Sequence, residues 1–330
     1  MHHCCLLTPA ARDVWRNSGH ALIVAGIKHL VREAQPDAVF HVIDLMQRDA
    51  DCWGWARAHA DSLVLCGIPR LGSDLRRYRD FGFWEDVLAV KAAGVKVADL
   101  FPGVHVAWQP TVEAARDLVL VADCNRTVLA YERSLDLVLP RDAIFAAAAE
   151  ALGDQYPVMP CGSWWARYWW GIEPRAPDCH VIVVRADERV PAGALVALAR
   201  HQRALAETRP TVAVTRNAGD FHHAQDAGLQ HVALVTESDD LLRLLARADV
   251  LVSLCVHATI PALAFGGIGV VNVAIDSRAA AVDAFGVVSH PLEALQAERL
   301  PEAQRVSGGL AAQMHLYQER FCRLWKERMC

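Results

Sequence analysis

The chain has 330 residues, 53% hydrophobic and 22% charged, with a formal net charge of −5. That length suits two domains of ordinary size, each with a sizeable core, and the composition is that of a globular protein. Mild acidity without any lysine- or arginine-rich run argues against nucleic acid as a partner.

Met1–Leu7 has no basic segment followed by a long apolar core, so no secretory signal is read there, and a reducing cytoplasm is expected. Ten cysteines lie scattered without a C-x-x-C pair, as free and mostly buried thiols. His2, His3, Cys4 and Cys5 are zinc ligands by type. Neighbours on a strand point to opposite faces, however, so the four cannot converge and no metal is expected.

Apolar runs at Cys4–Thr8, Ala38–Leu45, Ser62–Cys66, Val95–Leu100, Leu118–Ala122, Thr127–Tyr131 and Leu137–Leu139 read as strands. Ala21–Glu33 and Phe83–Ala93 carry helical patterns between them, and Ala143–Leu152 is a helix closed by Gly153. Such alternation predicts a largely parallel sheet covered by helices. Next, Trp164–Trp170 holds five aromatics in seven residues, in a chain that is 7% aromatic. On a helix Trp165, Tyr168 and Trp169 share a face. Packing at a hinge between domains is the favoured reading. Stacking on a sugar ring and peripheral membrane contact are the other two.

The second half repeats the alternation. Val181–Arg185, Thr211–Thr215, Val232–Thr236, Val250–Leu254 and Val270–Ile275 read as strands; Ala194–Glu207, Phe221–Ala227, Asp239–Ala246 and a closing Gly308–Met329 read as helices. The expected organisation is α/β, two Rossmann-like domains over 1–172 and 173–330 facing each other across a cleft.

Asp249–Asp276 is the organising stretch, with 26 residues between its aspartates and no charge among them. Pro261, Gly266, Gly267 and Gly269 break it too often for a membrane span. It reads as strand Val250–Leu254, loop Cys255–Ala258, helix Ile260–Phe265 and strand Gly269–Ile275. Thr259 is the expected N-cap and Pro261 belongs in the first turn. His257 then sits where a strand's carboxyl end meets a helix N-terminus, the usual ligand edge of a doubly wound sheet. Capping the turn is its alternative role.

These residues carry a resemblance. Asp249, Ser253, Cys255-Val256-His257-Ala258, Gly267-Ile268-Gly269 and Asp276 resemble the C-terminal signature of the polysaccharide pyruvyl transferase family, whose strand-end motif reads R-L-H-G and whose turn reads G-V-P. Cys255 stands in place of the family's Arg, Ala258 of its Gly and Gly269 of its Pro. Asn17-Ser18-Gly19-His20 resembles the family's N-x-G-D, Arg141-Asp142 its R-D-x-x-S, Arg185 a strand-terminal Arg, and Asp220 a family aspartate. The resemblance implies a GT-B-like fold, no cofactor, and transfer of pyruvate from phosphoenolpyruvate (or another small anionic donor) onto a sugar of a cell-surface polysaccharide. In that reading His257 is the acid–base group. Arg141 and Arg185 clamp the anion, Asn17 and Gly19 add backbone donors, and Ser253 and Asp220 complete the substrate site. Capping the following helix is the favoured reading for Asp220. A glycosyltransferase using a nucleotide sugar, or a non-catalytic glycan-pathway binding protein, fits the same architecture.

Overall fold

Apolar, β-branched runs pair as parallel strands in both halves because helices on each side of the sheets cover them. The computed structural model describes residues 1–9, 18–45, 50–72, 83–186, 189–306 and 309–330. The first half runs β1 (His2–Thr8), α1 (Ser18–Ala34), β2 (Ala38–Asp44), α2 (Ala50–His59), β3 (Ser62–Cys66) and β4 (Pro69–Gly72). It continues through α3 (Phe83–Ala92), β5 (Lys96–Leu100), β6 (Gly103–His105), α4 (Val112–Leu120), α5 (Asp123–Arg133), β7 (Leu137–Leu139) and α6 (Ala143–Glu150). A 3₁₀ turn at Gly162–Trp165 and the short α7 (Ala166–Trp169) follow.

The second half contains β8 (Cys179–Val183), α8 (Ala192–Ala206), β9 (Thr211–Thr215), α9 (Ala218–Asp226), β10 (Val232–Leu234), α10 (Ser238–Leu245) and β11 (Ala248–Ser253). Then come α11 (Val256–Leu263), β12 (Gly269–Ala274), a 3₁₀ helix (Ser277–Phe285), β13 (Ser289–Pro291), β14 (Gln304–Arg305) and α12 (Leu310–Arg328).

The first sheet has the order β2-β1-β3-β5-β7, all parallel. The second runs β10-β9-β8-β11-β12-β13, also parallel, with β14 antiparallel on β12. Its order reverses between β8 and β11, which makes a topological switch point there. This is the expected α/β architecture of two Rossmann-like sheets.

Two expected strands are helices. Leu118–Ala122 and Thr127–Tyr131 fall largely in α4 and α5. Thr111 caps α4, its Oγ1 accepting from Ala114 N at 3.2 Å, and buried Ala115 and Val119 recur at helical spacing. Val121 is 82% exposed, which a strand covered on both faces would not allow. Sequence reading also missed β4 and β6, which pair as a small sheet of their own. Positive φ at Gly67 and Phe101 turns the chain out of β3 and β5 just before this pair begins.

β1 settles the histidine–cysteine opening: Cys4 and Cys5 are fully buried in different cores on opposite faces, with burial pushing both thiols up to about 12. The aromatic segment packs. Trp164 and Trp165 are fully buried, Trp164 edge-on to Phe285 and Trp165 stacked on Phe101. Among the described residues no helix is long and apolar enough to cross a membrane.

The halves meet at two places. Helix α1 packs on the 3₁₀ turn, α7 and α12, and reaches α10 and α11. Gly26 lets α1 seat against the 3₁₀ turn of its own half, since a Cβ there would lie 1.7 Å from the Gly162 carbonyl oxygen. On the other side Ser277 Oγ accepts from Val106 N at 2.9 Å and donates to Val104 O at 3.2 Å.

Candidate functional site

The switch point gathers the sequence's chemical residues from distant segments. β8 ends just before Arg185, and β11 runs through Ser253 into α11. The helix begins earlier than its apolar run suggests. Cys255, extended at φ −142°, is the N-cap, and His257 is the second helical residue. Thr259, the expected cap, instead directs its hydroxyl to Cys255 O at 3.3 Å and Asn272 Oδ1 at 2.7 Å. Pro261 falls in the second turn, where its missing N–H removes the helix bond to the His257 carbonyl.

Ser253 builds the loop between strand and helix. Fully buried, its Oγ donates to Cys255 O at 2.9 Å and accepts from Cys255 N at 3.1 Å. Its hydroxyl is thus occupied in shaping the turn, and the expected substrate role gives way to a positioning one. Asp220 is a second correction. Its Oδ1 accepts from Ala186 N at 3.0 Å and its Oδ2 from Asn217 Nδ2 at 2.8 Å, which ties the loop after β8 to the start of α9. The N-cap of α9 is Asn217.

Arg185 and His257 line one cavity together with Cys255, Asp276 and Arg278. Arg216, which the sequence reading passed over, donates from Nη1 to Cys255 Sγ at 3.4 Å. Arg216 is the residue after β9. Arg278 pairs with Asp276 through Nε at 2.7 Å and through Nη2, and Arg189 reaches the same carboxylate at 2.7 Å. Although burial works the other way, these partners hold Asp276 well below the usual carboxylate range. His105 from β6 lies 3.0 Å from Arg189 Nη1, and burial, with Arg278 nearby, lowers it to about 4.

The first half packs against the helix that carries His257. The N-terminus of α1 abuts that of α11, with the His20 and His257 rings 5.9 Å apart. Gly19 permits this contact, because a Cβ there would fall 2.1 Å from His257 Nδ1. Asn17 lies outside the described residues. Arg141 is 1% exposed; its Nη1 donates to Gly67 O at 3.1 Å, while Nε and Nη2 have no partner among the described residues. It is close enough to bias both histidines but does not line the cavity of Arg185.

These surroundings change what His257 is. Burial first, then Arg216, His20 and Arg141, lowers its pKa well below the ordinary value. Burial and Arg141 take His20 down to about 3. Both rings are neutral near pH 7, so His257 is not the near-neutral titrating group that its residue type suggests. Its Nε2 is buried without a partner among the described residues. Cationic side chains, a helix N-terminus and an unused imidazole nitrogen meet here beside the Asp276 carboxylate, an arrangement that can hold an anion.

No family model matches the chain, and no curated protein matches it. Similar solved structures exist. One, from S. aureus, is described as MnaA in complex with UDP: 10% identity, TM-score 0.53, covering 99% of this chain and 91% of that one. Another is the UDP-GlcNAc 2-epimerase of Neisseria meningitidis bound to UDP-GlcNAc: 10% identity, TM-score 0.51, with 98% and 94% covered. At such identity the likeness speaks for the fold, the GT-B arrangement of two Rossmann-like domains across a cleft. Membership of the pyruvyl transferase family and phosphoenolpyruvate as donor find no support in these comparisons.

Proposed function

We propose that the chain is a GT-B-fold enzyme that takes a nucleoside-diphosphate sugar, with the diphosphate at the start of α11 among Arg185, Arg216 and Arg278. The observation that carries the reading is the convergence of Arg185 and Arg278 on one cavity with His257, at the switch point of the second sheet. Bound UDP and UDP-GlcNAc in the similar structures support it. We assign the division between domains to residues 172 and 173, and we assign the sugar to the cleft between the halves.

The chemistry follows from charge. Loss of a diphosphate from the anomeric carbon places negative charge on the departing oxygens, and fixed guanidinium groups with helix N–H donors stabilise it. His257 enters neutral. A bound diphosphate offsets the arginines that depress it and raises its pKa, so it gains acid–base competence in the complex. Arg141, from the first half, is assigned to the sugar side of the cleft.

Calorimetric titration with UDP, ADP, GDP and phosphoenolpyruvate tests the reading. At least one nucleoside diphosphate binds with Kd below about 1 mM, the scale of ordinary substrate affinities, and phosphoenolpyruvate fails to displace it. Binding of phosphoenolpyruvate with no nucleoside diphosphate bound would overturn the assignment and restore the pyruvyl donor.

A further inference from the structure

We propose that Cys255 is a hydroperoxide-reactive thiol set in the wall of the anion cavity. Its effect on donor binding rests on the reading above; its reactivity does not. Three observations converge on it. Cys255 is the N-cap of α11, so its sulfur lies at the positive end of the helix. Arg216 Nη1 donates to Sγ at 3.4 Å. The thiol shares its cavity with His257, which is 7% exposed and whose Nε2 has no partner among the described residues.

Electrostatics agree with this placement. Burial raises a thiol's pKa, yet Arg216 and Arg185 outweigh burial and leave Cys255 below its ordinary value. Cys4, Cys5 and Cys66 are driven upward by burial. The difference matters because the thiolate is the nucleophile.

The step balances. The thiolate sulfur attacks one peroxide oxygen; an S–O bond forms, the O–O bond breaks, and the leaving hydroxide combines with the proton the thiol released on ionising, giving water. The sulfur loses two electrons and the peroxide gains them, giving a sulfenic acid. A second peroxide yields the sulfinate, whose negative charge would occupy the place proposed for diphosphate and block it.

The test exposes the whole protein to hydrogen peroxide at pH 7.5, with and without pyrophosphate. The chain is then unfolded in an alkylating agent, and each cysteine peptide is read by mass spectrometry. Cys255 should gain one or two oxygens at least tenfold faster than Cys4 or Cys66, and Arg216→Gln should slow it about tenfold. Cys255 left fully alkylatable while exposed Cys330 oxidises would overturn the proposal, whatever the variant does. Pyrophosphate protection separates the two readings: oxidation of Cys255 that pyrophosphate does not slow keeps the reactive thiol and removes the diphosphate from its side.

Discussion

At the scale of single residues, the site is defined by groups whose charge state their neighbours set. His20 illustrates the consequence for stability. Its folded pKa, about 3, lies below the value of about 6.5 expected when unfolded. Between those values the unfolded chain binds more protons, so His20 costs stability as pH falls and nothing above about pH 7. The groups facing it are Arg141, Arg216, Arg278 and Arg70, together with the His257 ring, so the same sense holds from each side. Carboxyls such as Glu132, raised by burial, act in the opposite sense, and a comparison with a variant cancels them. Relative to His20→Asn, the wild type should therefore lose roughly 1–2 kcal/mol between pH 7 and pH 5. Urea unfolding at both pH values checks this. A constant difference between the two proteins would mean that His20 stays ionisable in the fold.

At the scale of elements, Asp249–Asp276 was legible because a charge-free strand, helix and strand separated by glycines has few other folds. The longer strands of both sheets were legible from their apolar runs, whereas the short β13 and β14 have no such run and were not. α4 and α5 were not: Leu118–Ala122 and Thr127–Tyr131 are short apolar runs, and over so few residues strand and helix periods look alike. The start of α11 was misplaced because cap preferences favour Thr259 over Cys255, whereas Ser253 fixes the turn from outside the helix. Asp220 shows how one residue type serves two roles that sequence alone cannot separate. Its bonds to Ala186 N and Asn217 Nδ2 make it a tie between β8 and α9. Asp220→Ala should accordingly lower stability by about 1–2 kcal/mol and leave nucleoside diphosphate affinity within about twofold. A large loss of affinity at unchanged melting temperature would return Asp220 to the substrate site.

At the scale of the whole molecule, the cavity belongs to the second half, and the first half packs His20 and Gly19 against its His257. Gly19 and Gly26 let α1 approach α11 and the aromatic 3₁₀ turn, and Ser277 pins the other edge to β6. Arg216 and Arg278 escaped the sequence reading because nothing local marks them; the folding of the second half brings them to the wall of His257. His20, read only within Asn17-Ser18-Gly19-His20, meets His257 through the packing of α1 on α11. Arg185 was readable, since a strand-terminal arginine at a sheet's carboxyl edge has a place defined by topology. The most direct measurement is the affinity of pyrophosphate for the wild type and for Arg185→Gln, taken on preparations with matched melting temperatures. The account predicts that the substitution weakens binding by about 10- to 100-fold, the worth of one charge-assisted hydrogen-bond contact. Equal affinity in the two proteins would contradict it and move the anion away from the start of α11.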